Sequence, residues 1–404
     1  MTLSHLRSMP NLRKARIPTP VPPVPPVDPE INVVTLPLGD GTEINPYIIR
    51  YFGNLRWVSE NSDSWDKYLL QVRSIDAVYS EQLDGGAGFT PIGDASAKFT
   101  GHYNGAEYST SNLYINRPSE EYIGLFGYCY GADLDNVILE DCNIIGLNYV
   151  GGLAGRTANY TKIDNCSTSG SITATYTGDN FSGVGGLIGV SNNTTINKCF
   201  SKCDVSGYRS VGGLIGYEST TTVNDSYSIG SISGYSQVGG FTGYVSSDSS
   251  VNKCYCVGVV TGTHSSHIYE GGFAGYTNGT PCVNCYYDST ISGRTDTNAG
   301  SIPKTTAQMK EFSTFTGWDF ATIWTLNPLL NSGYPYLGGG QEYSEVEGDI
   351  LDVAPEGGVG ELEYYEVEGD ILDVESAGGI GELEYYEVEG DILDVAPESL
   401  VEIV

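Results

Sequence analysis

The chain has 404 residues and a formal net charge of −31, with 53 glycines, 30 tyrosines, 3 methionines and only 17% charged residues. A helical enzyme carries more leucine, alanine and lysine, so this composition indicates strands and tight turns. The acidic field repels a phosphate backbone, which argues against nucleic acid as a partner. No run of about 18 apolar residues occurs, so membrane insertion is not predicted either.

Residues 1–38 form a basic, proline-rich arm. Four basic residues precede the run PTPVPPVPPVDP, and eight prolines fall within the first 29 positions. Such a sequence favours an extended polyproline conformation that cannot pack a core. It is interpreted as a linker, with an arm that threads onto a larger assembly as the alternative. The basic head is not followed by an apolar stretch, so no signal peptide is predicted.

Residues 39–122 are interpreted as an N-terminal cap with the first coils, and residues 123–300 contain an internal repeat. The repeated phrase is V-G-G-L-x-G, with successive starts 27, 34, 27, 27 and 32 residues apart. The copies start at Ile123, Val150, Val184, Val211, Val238 and Glu270. A unit of this length cannot bury its apolar side chains alone. We therefore expect a parallel β-solenoid in which each coil stacks like residues on like.

A second phrase follows most copies and carries a cysteine, as in IDNCSTSGSI from Ile163. Alternation along a strand predicts which side chains face inward. The cysteines are expected inside, in a column assigned to Cys142, Cys166, Cys199, Cys254 and Cys285. The column directly after the cysteine is expected to face outward and consists of Phe200, Tyr227, Tyr255 and Tyr286.

These repeats resemble the GLUG-motif family of bacterial and phage surface or adhesin-type proteins. Flanking segments are similar to that family too, among them GDGTEINPYIIR at 39–50, FTPIGD at 89–94 and GYPYL at 333–337. The resemblance implies an all-β parallel solenoid (β-helix) of GLUG repeats with capping segments and a surface setting. It brings no catalytic residues.

Residues 301–341 are interpreted as a C-terminal aromatic cap. An open solenoid end exposes an edge that pairs with other chains, so it requires a cover. Thr305 and Gln308 have capping-box spacing, which predicts a short helix. Trp318 and Tyr334 are among the aromatic residues expected to cover the last coil.

Residues 342–404 are three acidic repeats with a period of 21 residues. They contain 21 Asp and Glu and no Lys or Arg, which leaves 29 acidic and 19 basic residues before them, a net of −10. Carboxylates such as Asp349 and Asp352 are candidates for binding Ca²⁺, but their spacing matches no defined calcium loop. A solvated acidic tail is favoured, and no cofactor is expected.

The cysteines offer a weaker candidate for metal chemistry. Four thiols at Cys254, Cys256, Cys282 and Cys285 could hold zinc, but only the C-x-x-C half has plausible spacing. Buried free thiols stacked between coils are favoured, so no metal site is expected. Disulfides between coils would need an oxidising compartment, against which the missing signal peptide argues.

Two patterns bear on catalysis. The glycines match no phosphate loop and recur too often for one nucleotide site. Glycoside cleavage needs two carboxylates facing one groove, and no two acids of the repeats are found in one column, so no enzyme is expected. The acids considered are Asp179, Asp204, Glu218, Asp225 and Asp248. A pair across columns stays open, which keeps a cleaving enzyme as an alternative.

Tyrosines supply the predicted ligand-binding residues. The outward ladder of Phe200, Tyr227, Tyr255 and Tyr286 offers flat faces with hydroxyl tips, which suit sugar rings or a protein partner. A merely stiffening role is the alternative for this column. The remaining tyrosine columns are assigned to the scaffold: Tyr128, Tyr208, Tyr217, Tyr235, Tyr244 and Tyr276.

The sequence thus predicts a non-enzymatic, surface-displayed adhesion, receptor-binding or structural protein. The missing signal favours a phage virion component, such as a fibre, tail or decoration protein, that binds a host-surface glycan or protein. Other virion or surface-assembly proteins would attach through residues 1–38 or 342–404, and a homo-oligomer such as a trimer is compatible with this role. A bacterial cell-surface adhesin and a polysaccharide-cleaving phage spike are the alternatives.

Overall fold

The computed structural model describes residues 33–178, 182–264, 269–279 and 281–338. The acidic repeats and the first 32 residues of the predicted arm lie outside these ranges. Two compact units are distinguished: the first holds the chain up to Asp319 together with Leu326–Leu337, and the described part of the second is Phe320–Thr325 with Gly338. The solenoid lies in the first unit.

The first unit is an all-β parallel solenoid, as the sequence predicts, and its repeat region makes about six turns. Each coil contributes a short strand to one sheet of nine strands and, within the repeats, to one sheet of six. In stacking order the nine are Tyr47–Ile49, Tyr68–Gln71, His102–Asn104, Asp133–Asp135, Thr161–Asp164, Thr194–Asn197, Thr222–Asn224, Ser250–Asn252 and Cys282–Val283. The six are Phe126–Tyr130, Ala154–Ala158, Ile188–Asn192, Ile215–Ser219, Thr242–Val245 and Ala274–Thr277.

The third sheet has sixteen strands, because several coils add two or three strands to it. In chain order they are Ile75–Asp76, Ser109–Ser111, Tyr114–Ile123, Ile138–Gly151, Ser167–Ala174, Val184–Gly185, Phe200–Ser206, Arg209–Gly212, Tyr227–Ile229, Ile232–Gly234, Ser236–Gly239, Tyr255–Val257, Val260–Gly262, Glu270–Gly271, Tyr286–Asp288 and Ile302–Lys304. Two further strands are Trp324–Thr325 in the second unit and Tyr336–Leu337 in the first.

Helices in the described ranges are short and lie before the first or after the last glycine phrase. The first, Phe52–Glu60, buries Phe52, Leu55 and Val58. The others are the α-helices Ser289–Ser292 and Thr306–Met309 and the 3-10 segments Ser62–Ser64, Val78–Gly86, Asn298–Gly300, Phe312–Thr314 and Asn331–Gly333. The predicted capping box is confirmed, since Thr305 caps the helix Thr306–Met309 and Gln308 bonds back to it. No helix in the described ranges has the length and apolarity needed to cross a membrane.

Stacking of like residues is confirmed by the register of the strands. Val150 pairs with Val184, and Val184 with Val211 in the next coil. The leucine position of the phrase faces the core and is buried in every copy. Four copies have leucine there and two have phenylalanine: Leu125, Leu153, Leu187, Leu214, Phe241 and Phe273. Each coil therefore covers the apolar residues of the one before it.

The paired glycines are needed because backbone approaches backbone at this corner of the coil. A Cβ at Gly185 would lie 2.1 Å from the carbonyl oxygen of Ile188. At Gly186 it would lie 2.0 Å from Ser201 Oγ and 2.3 Å from the Gly213 carbonyl oxygen in the next coil. Any side chain would separate the coils, so the repeated G-G is a packing requirement, as predicted.

The assignment of Cys142 to the cysteine column is wrong. Ser167 pairs with Ile138, so Val137 takes the place that Cys166 has in the next coil. A register shift follows between Thr168 and Gly170, and Cys142 pairs with Gly170 instead. The shift is a bulge that the spacing of the degenerate first copy did not reveal.

An asparagine ladder runs along the nine-stranded sheet. Asn224 Nδ2 donates to Asn197 Oδ1 at 2.9 Å, and Asn252 Nδ2 donates to Asn224 Oδ1 at 3.2 Å. At the other end Asn197 Nδ2 donates to Asp164 Oδ1 at 2.7 Å. The ladder ties four coils together through side chains as well as backbone.

Candidate functional site

The predicted ligand-binding column is stacked but buried. The rings of Phe200 and Tyr227 lie 4.8 Å apart and nearly parallel, and those of Tyr227 and Tyr255 lie 5.0 Å apart. The expected outward exposure is nevertheless wrong: Tyr227, Tyr255 and Tyr286 are only 2%, 0% and 3% exposed, and Phe200 is half-buried. We call Phe200, Tyr227, Tyr255 and Tyr286 the buried column.

The C-terminal segment of the same unit covers the buried column. The Tyr255 hydroxyl donates to the Pro335 carbonyl oxygen and accepts from Asn331 Nδ2 at 3.0 Å. The Trp318 ring lies 6.1 Å from that of Tyr255 and 6.0 Å from that of Tyr286. Burial raises the pKa of Tyr255 well above its usual range. The column is therefore the surface on which the aromatic cap is seated.

Other tyrosines, assigned to the scaffold from sequence, form the accessible aromatic surface. The rings of Tyr217 and Tyr244 stack at 4.4 Å, and Tyr244 and Tyr276 at 5.5 Å. A second ladder beside it stacks Tyr208 on Tyr235 at 4.6 Å. All five side chains are partly exposed. Each sits next to a glycine phrase, so the register that aligns the phrases also aligns the rings.

The two ladders border a cleft of about 380 Å³. It is lined by Tyr235, Tyr244, Tyr269 and Tyr276 together with Arg209 and His264. We call this site the tyrosine cleft. None of the described residues that line it is Asp or Glu. Flat aromatic faces beside polar groups suit the apolar faces and hydroxyls of a sugar ring.

Polar side chains hold one wall of the tyrosine cleft in place. Arg209 Nε donates to Gln237 Oε1 at 3.3 Å, and Ser210 Oγ donates to the same oxygen at 2.7 Å. The His264 ring makes an edge contact with Tyr235, with the ring centres 5.0 Å apart. A guanidinium and an imidazole thus stand among the rings, where either can donate a hydrogen bond to a ligand.

The cysteines are buried free thiols, as favoured from sequence. All nine are free and buried, and burial raises the pKa of Cys129, Cys166 and Cys254. Within the described ranges no three His, Cys, Asp or Glu side chains are grouped to hold a metal ion, and this includes the four thiols of Cys254, Cys256, Cys282 and Cys285. The calcium candidates Asp349 and Asp352 lie outside those ranges.

One pair of acids shares a column, which the sequence analysis missed. Asp135 pairs with Asp164 on adjacent strands of the nine-stranded sheet. Asp135 Oδ2 lies 2.7 Å from His102 Nε2. Burial raises the pKa of Asp135, although His102 opposes the shift.

Among the acids of the repeats that the sequence analysis considered for glycoside cleavage, Asp204 has the expected serine neighbours Ser171 and Ser231.

Glu218 points into the solenoid, one residue after the exposed Tyr217. Its side chain is 0% exposed, and among the described residues neither carboxylate oxygen has a hydrogen-bond partner. Burial raises the pKa of Glu218 to about 8, although the nearby Thr242 hydroxyl opposes the shift. That hydroxyl donates to the Tyr244 carbonyl oxygen instead. A neutral carboxyl group in the core explains this placement.

Fold and surface together define a repeat-built parallel β-solenoid with an aromatic cleft. The family model of the GLUG motif matches residues 146–173, which confirms the resemblance drawn from the sequence. No solved structure shows significant similarity to the chain.

The chain is similar to two named proteins. Halomucin of Haloquadratum walsbyi is 33% identical over 162 residues, which are 39% of this chain and 2% of that protein. A protein of Evansella cellulosilytica named as a Gly-rich membrane protein is 36% identical over 139 residues, which are 32% of this chain and 15% of that protein. The alignments therefore cover small parts of both relatives.

Proposed function

We propose that this chain is a non-enzymatic binding protein of a cell or particle surface, and that its tyrosine cleft takes up a glycan. The observation that supports this proposal best is the cleft itself, about 380 Å³ in volume, which stacked Tyr244 and Tyr276 line together with Arg209. Sugar rings bind to proteins by laying an apolar face on an aromatic ring while their hydroxyls reach polar groups. The site replaces the buried column as the ligand-binding surface.

A surface setting is supported by the relative that is named as a membrane protein and by the GLUG motif. These comparisons favour a cell-surface adhesin over the phage virion component predicted from the sequence, since nothing in them points to a virion. Attachment to other surface proteins through residues 1–38 or 342–404, and a trimeric state, belong to the same proposal.

Cleavage of a polysaccharide is the second candidate, and one observation favours it. Asp135 and Asp164 lie on neighbouring parallel strands, whose spacing of about 4.8 Å is near the carboxylate separation of a retaining glycosidase. The pair lies outside the tyrosine cleft. New reducing ends that form with the unmodified protein and disappear with Asp135→Asn would establish this candidate and contradict the non-enzymatic proposal.

Binding is tested with a glycan array followed by calorimetry on the sugars retained. Tyr244→Ser with Tyr276→Ser removes two stacked faces, and we expect the affinity to fall at least tenfold, since each lost aromatic contact contributes about 1 kcal/mol or more. Tyr160→Ser is the matched control, because Tyr160 is 74% exposed and lies outside the cleft. Equal binding by both variants would refute the site, and circular dichroism checks that each remains folded.

A further inference from the structure

A second aromatic surface lies in the same side-chain column as the tyrosine cleft. Along the six-stranded sheet the column continues from Tyr217 back through Val190 and Arg156 to Tyr128. Tyr128 stacks on Tyr122 at 5.5 Å with an interplanar angle of 4°, and Tyr122 contacts Tyr149 at 5.0 Å. Tyr128 itself is buried, so the accessible rings are those of Tyr122 and Tyr149, which are partly exposed. We call Tyr122, Tyr128, Tyr149, Arg156 and Lys98 the N-terminal aromatic patch.

The N-terminal aromatic patch carries positive charge on its rings. The Arg156 guanidinium lies 5.0 Å from the centre of the Tyr128 ring, and Lys98 Nζ lies 5.3 Å from the same centre. Arg156 Nε is buried and has no hydrogen-bond partner among the described residues. A cation that is held over a ring with an unused donor is suited to an anionic ligand group.

Two tyrosines of the patch lie at the same corner of successive coils. Tyr122 and Tyr149 each directly precede a glycine phrase and have φ of 64° and 53°, in the left-handed region. The same position has a positive φ in later copies, 50° at Ser210 and 57° at Gln237, so this backbone conformation belongs to the coil corner. The corner therefore places the rings of Tyr122 and Tyr149 side by side, with their centres 5.0 Å apart.

The patch and the tyrosine cleft are separated by a distance that suits a polymer. Tyr128 and Tyr244, the first cleft tyrosine in this column, are four coils apart, and coils repeat every 4.8 Å or so, which gives about 19 Å. A single sugar ring cannot reach both sites, whereas a short linear oligosaccharide can. Both sites combine stacked tyrosines with a guanidinium, Arg156 in one and Arg209 in the other.

We infer that one linear polysaccharide carrying carboxylate or sulfate groups lies along the coils and occupies both sites. This inference rests on the proposed function of the tyrosine cleft and adds the charge, the length and the direction of the ligand. Recognition of an anion is selective here because the chain as a whole has a net charge of −31, so only locally basic surfaces attract it. Two linked sites also raise the affinity through effective concentration.

The experiment uses the full chain and a panel of linear anionic polysaccharides: polygalacturonate, alginate, hyaluronan and heparin. Oligosaccharides of increasing length are titrated by calorimetry, beside methyl-esterified polygalacturonate as the neutral counterpart. We expect at least one anionic polymer to bind, its affinity to rise tenfold or more once the oligosaccharide is long enough to span both sites, and esterification or added salt to weaken it.

Variants separate the two sites. Arg156→Gln together with Tyr149→Ser should reduce the affinity for the long polymer about tenfold or more and leave that for short oligosaccharides unchanged. Glu121→Gln should strengthen binding about twofold, because the exposed Glu121 carboxylate is close enough to the patch residue Tyr149 to act on it electrostatically. Lys310→Gln is the control: Lys310 lies over the Tyr334 ring at 5.0 Å, a like contact outside both sites.

The outcomes distinguish the inference from the proposed function. Binding that is lost in Tyr244→Ser but independent of chain length and of Arg156 would overturn the inference and keep the cleft as a glycan site. Equal binding of the esterified polymer would overturn the anionic ligand. Retention of neutral glycans alone, or of none of the panel, would also overturn the inference, and a protein retained in place of any glycan would overturn both.

Discussion

Two stacks of tyrosine in this molecule have the same local geometry and different surroundings. Tyr227 and Tyr255 stack at 5.0 Å in the buried column, and Tyr217 and Tyr244 stack at 4.4 Å beside the tyrosine cleft. The first pair is covered by the C-terminal segment, whereas the second remains partly exposed. Ring stacking thus follows from the repeat alone, but accessibility depends on a segment that lies outside the repeat.

The comparison predicts that the two stacks differ most in their contribution to stability. Tyr255→Ala removes a fully buried ring and should lower the free energy of unfolding by about 3–5 kcal/mol, as for other large buried aromatics. Tyr244→Ala should lower it by about 1 kcal/mol or less, since its ring is partly exposed. Urea denaturation followed by circular dichroism measures both, and equal losses would contradict the distinction.

A second prediction contrasts adjacent residues, one inside the solenoid and one outside. The pKa of Glu218 is about 8 in the folded chain, above its usual 4.5, so the folded state holds a proton that the unfolded state releases. The contribution of Glu218 to the free energy of unfolding should therefore be fully present below pH 4.5 and be lost, by a few kcal/mol, as the pH rises to about 8. Denaturation at a series of pH values measures the slope.

Substitutions identify the group responsible for this pH dependence. Glu218→Gln should flatten the slope between pH 4.5 and about 8, because the amide has no proton to lose in that window. Tyr217→Phe, the outward neighbour, should leave it unchanged. A slope that survives Glu218→Gln would show that another group titrates.

A smaller effect is expected from removing hydroxyl groups alone. Tyr255→Phe keeps the ring but leaves the Pro335 carbonyl oxygen and Asn331 Nδ2 without this partner, which should cost about 1–2 kcal/mol of stability. Tyr276→Phe at the tyrosine cleft should change stability by less than about 0.5 kcal/mol. Thermal unfolding of the two variants tests this, and a larger loss for Tyr276→Phe would reverse the comparison.

The repeat made much of the fold predictable. A regular spacing of glycine phrases determines the register, so the stacking of Val150, Val184 and Val211 and the inward leucines could be inferred without a structure. The capping box at Thr305 was predictable for a similar reason, since it is a local pattern. Cys142 was misassigned because a bulge changes register without leaving a sign in the spacing.

The site was harder to predict, because the exposure of a side chain depends on segments that are distant in the sequence. Strand alternation correctly separates Tyr227 from the inward Cys199 and Ser226, but it cannot show that Pro335 and Trp318 return to cover that ring. The same limitation hid the tyrosine cleft, whose rings were assigned to the scaffold. One signal was available: a C-terminal segment rich in aromatic residues needs an aromatic surface to pack on.

Chemical labelling of tyrosine tests the central claim most directly. The folded chain is nitrated with tetranitromethane, with and without a bound polysaccharide, and modified residues are located by mass spectrometry. The account predicts that Tyr235, Tyr244 and Tyr276 are modified and become protected by the ligand, while Tyr227 and Tyr255 stay unmodified in both states. Modification of the buried column, or no protection of the cleft by a polysaccharide that binds, would contradict it.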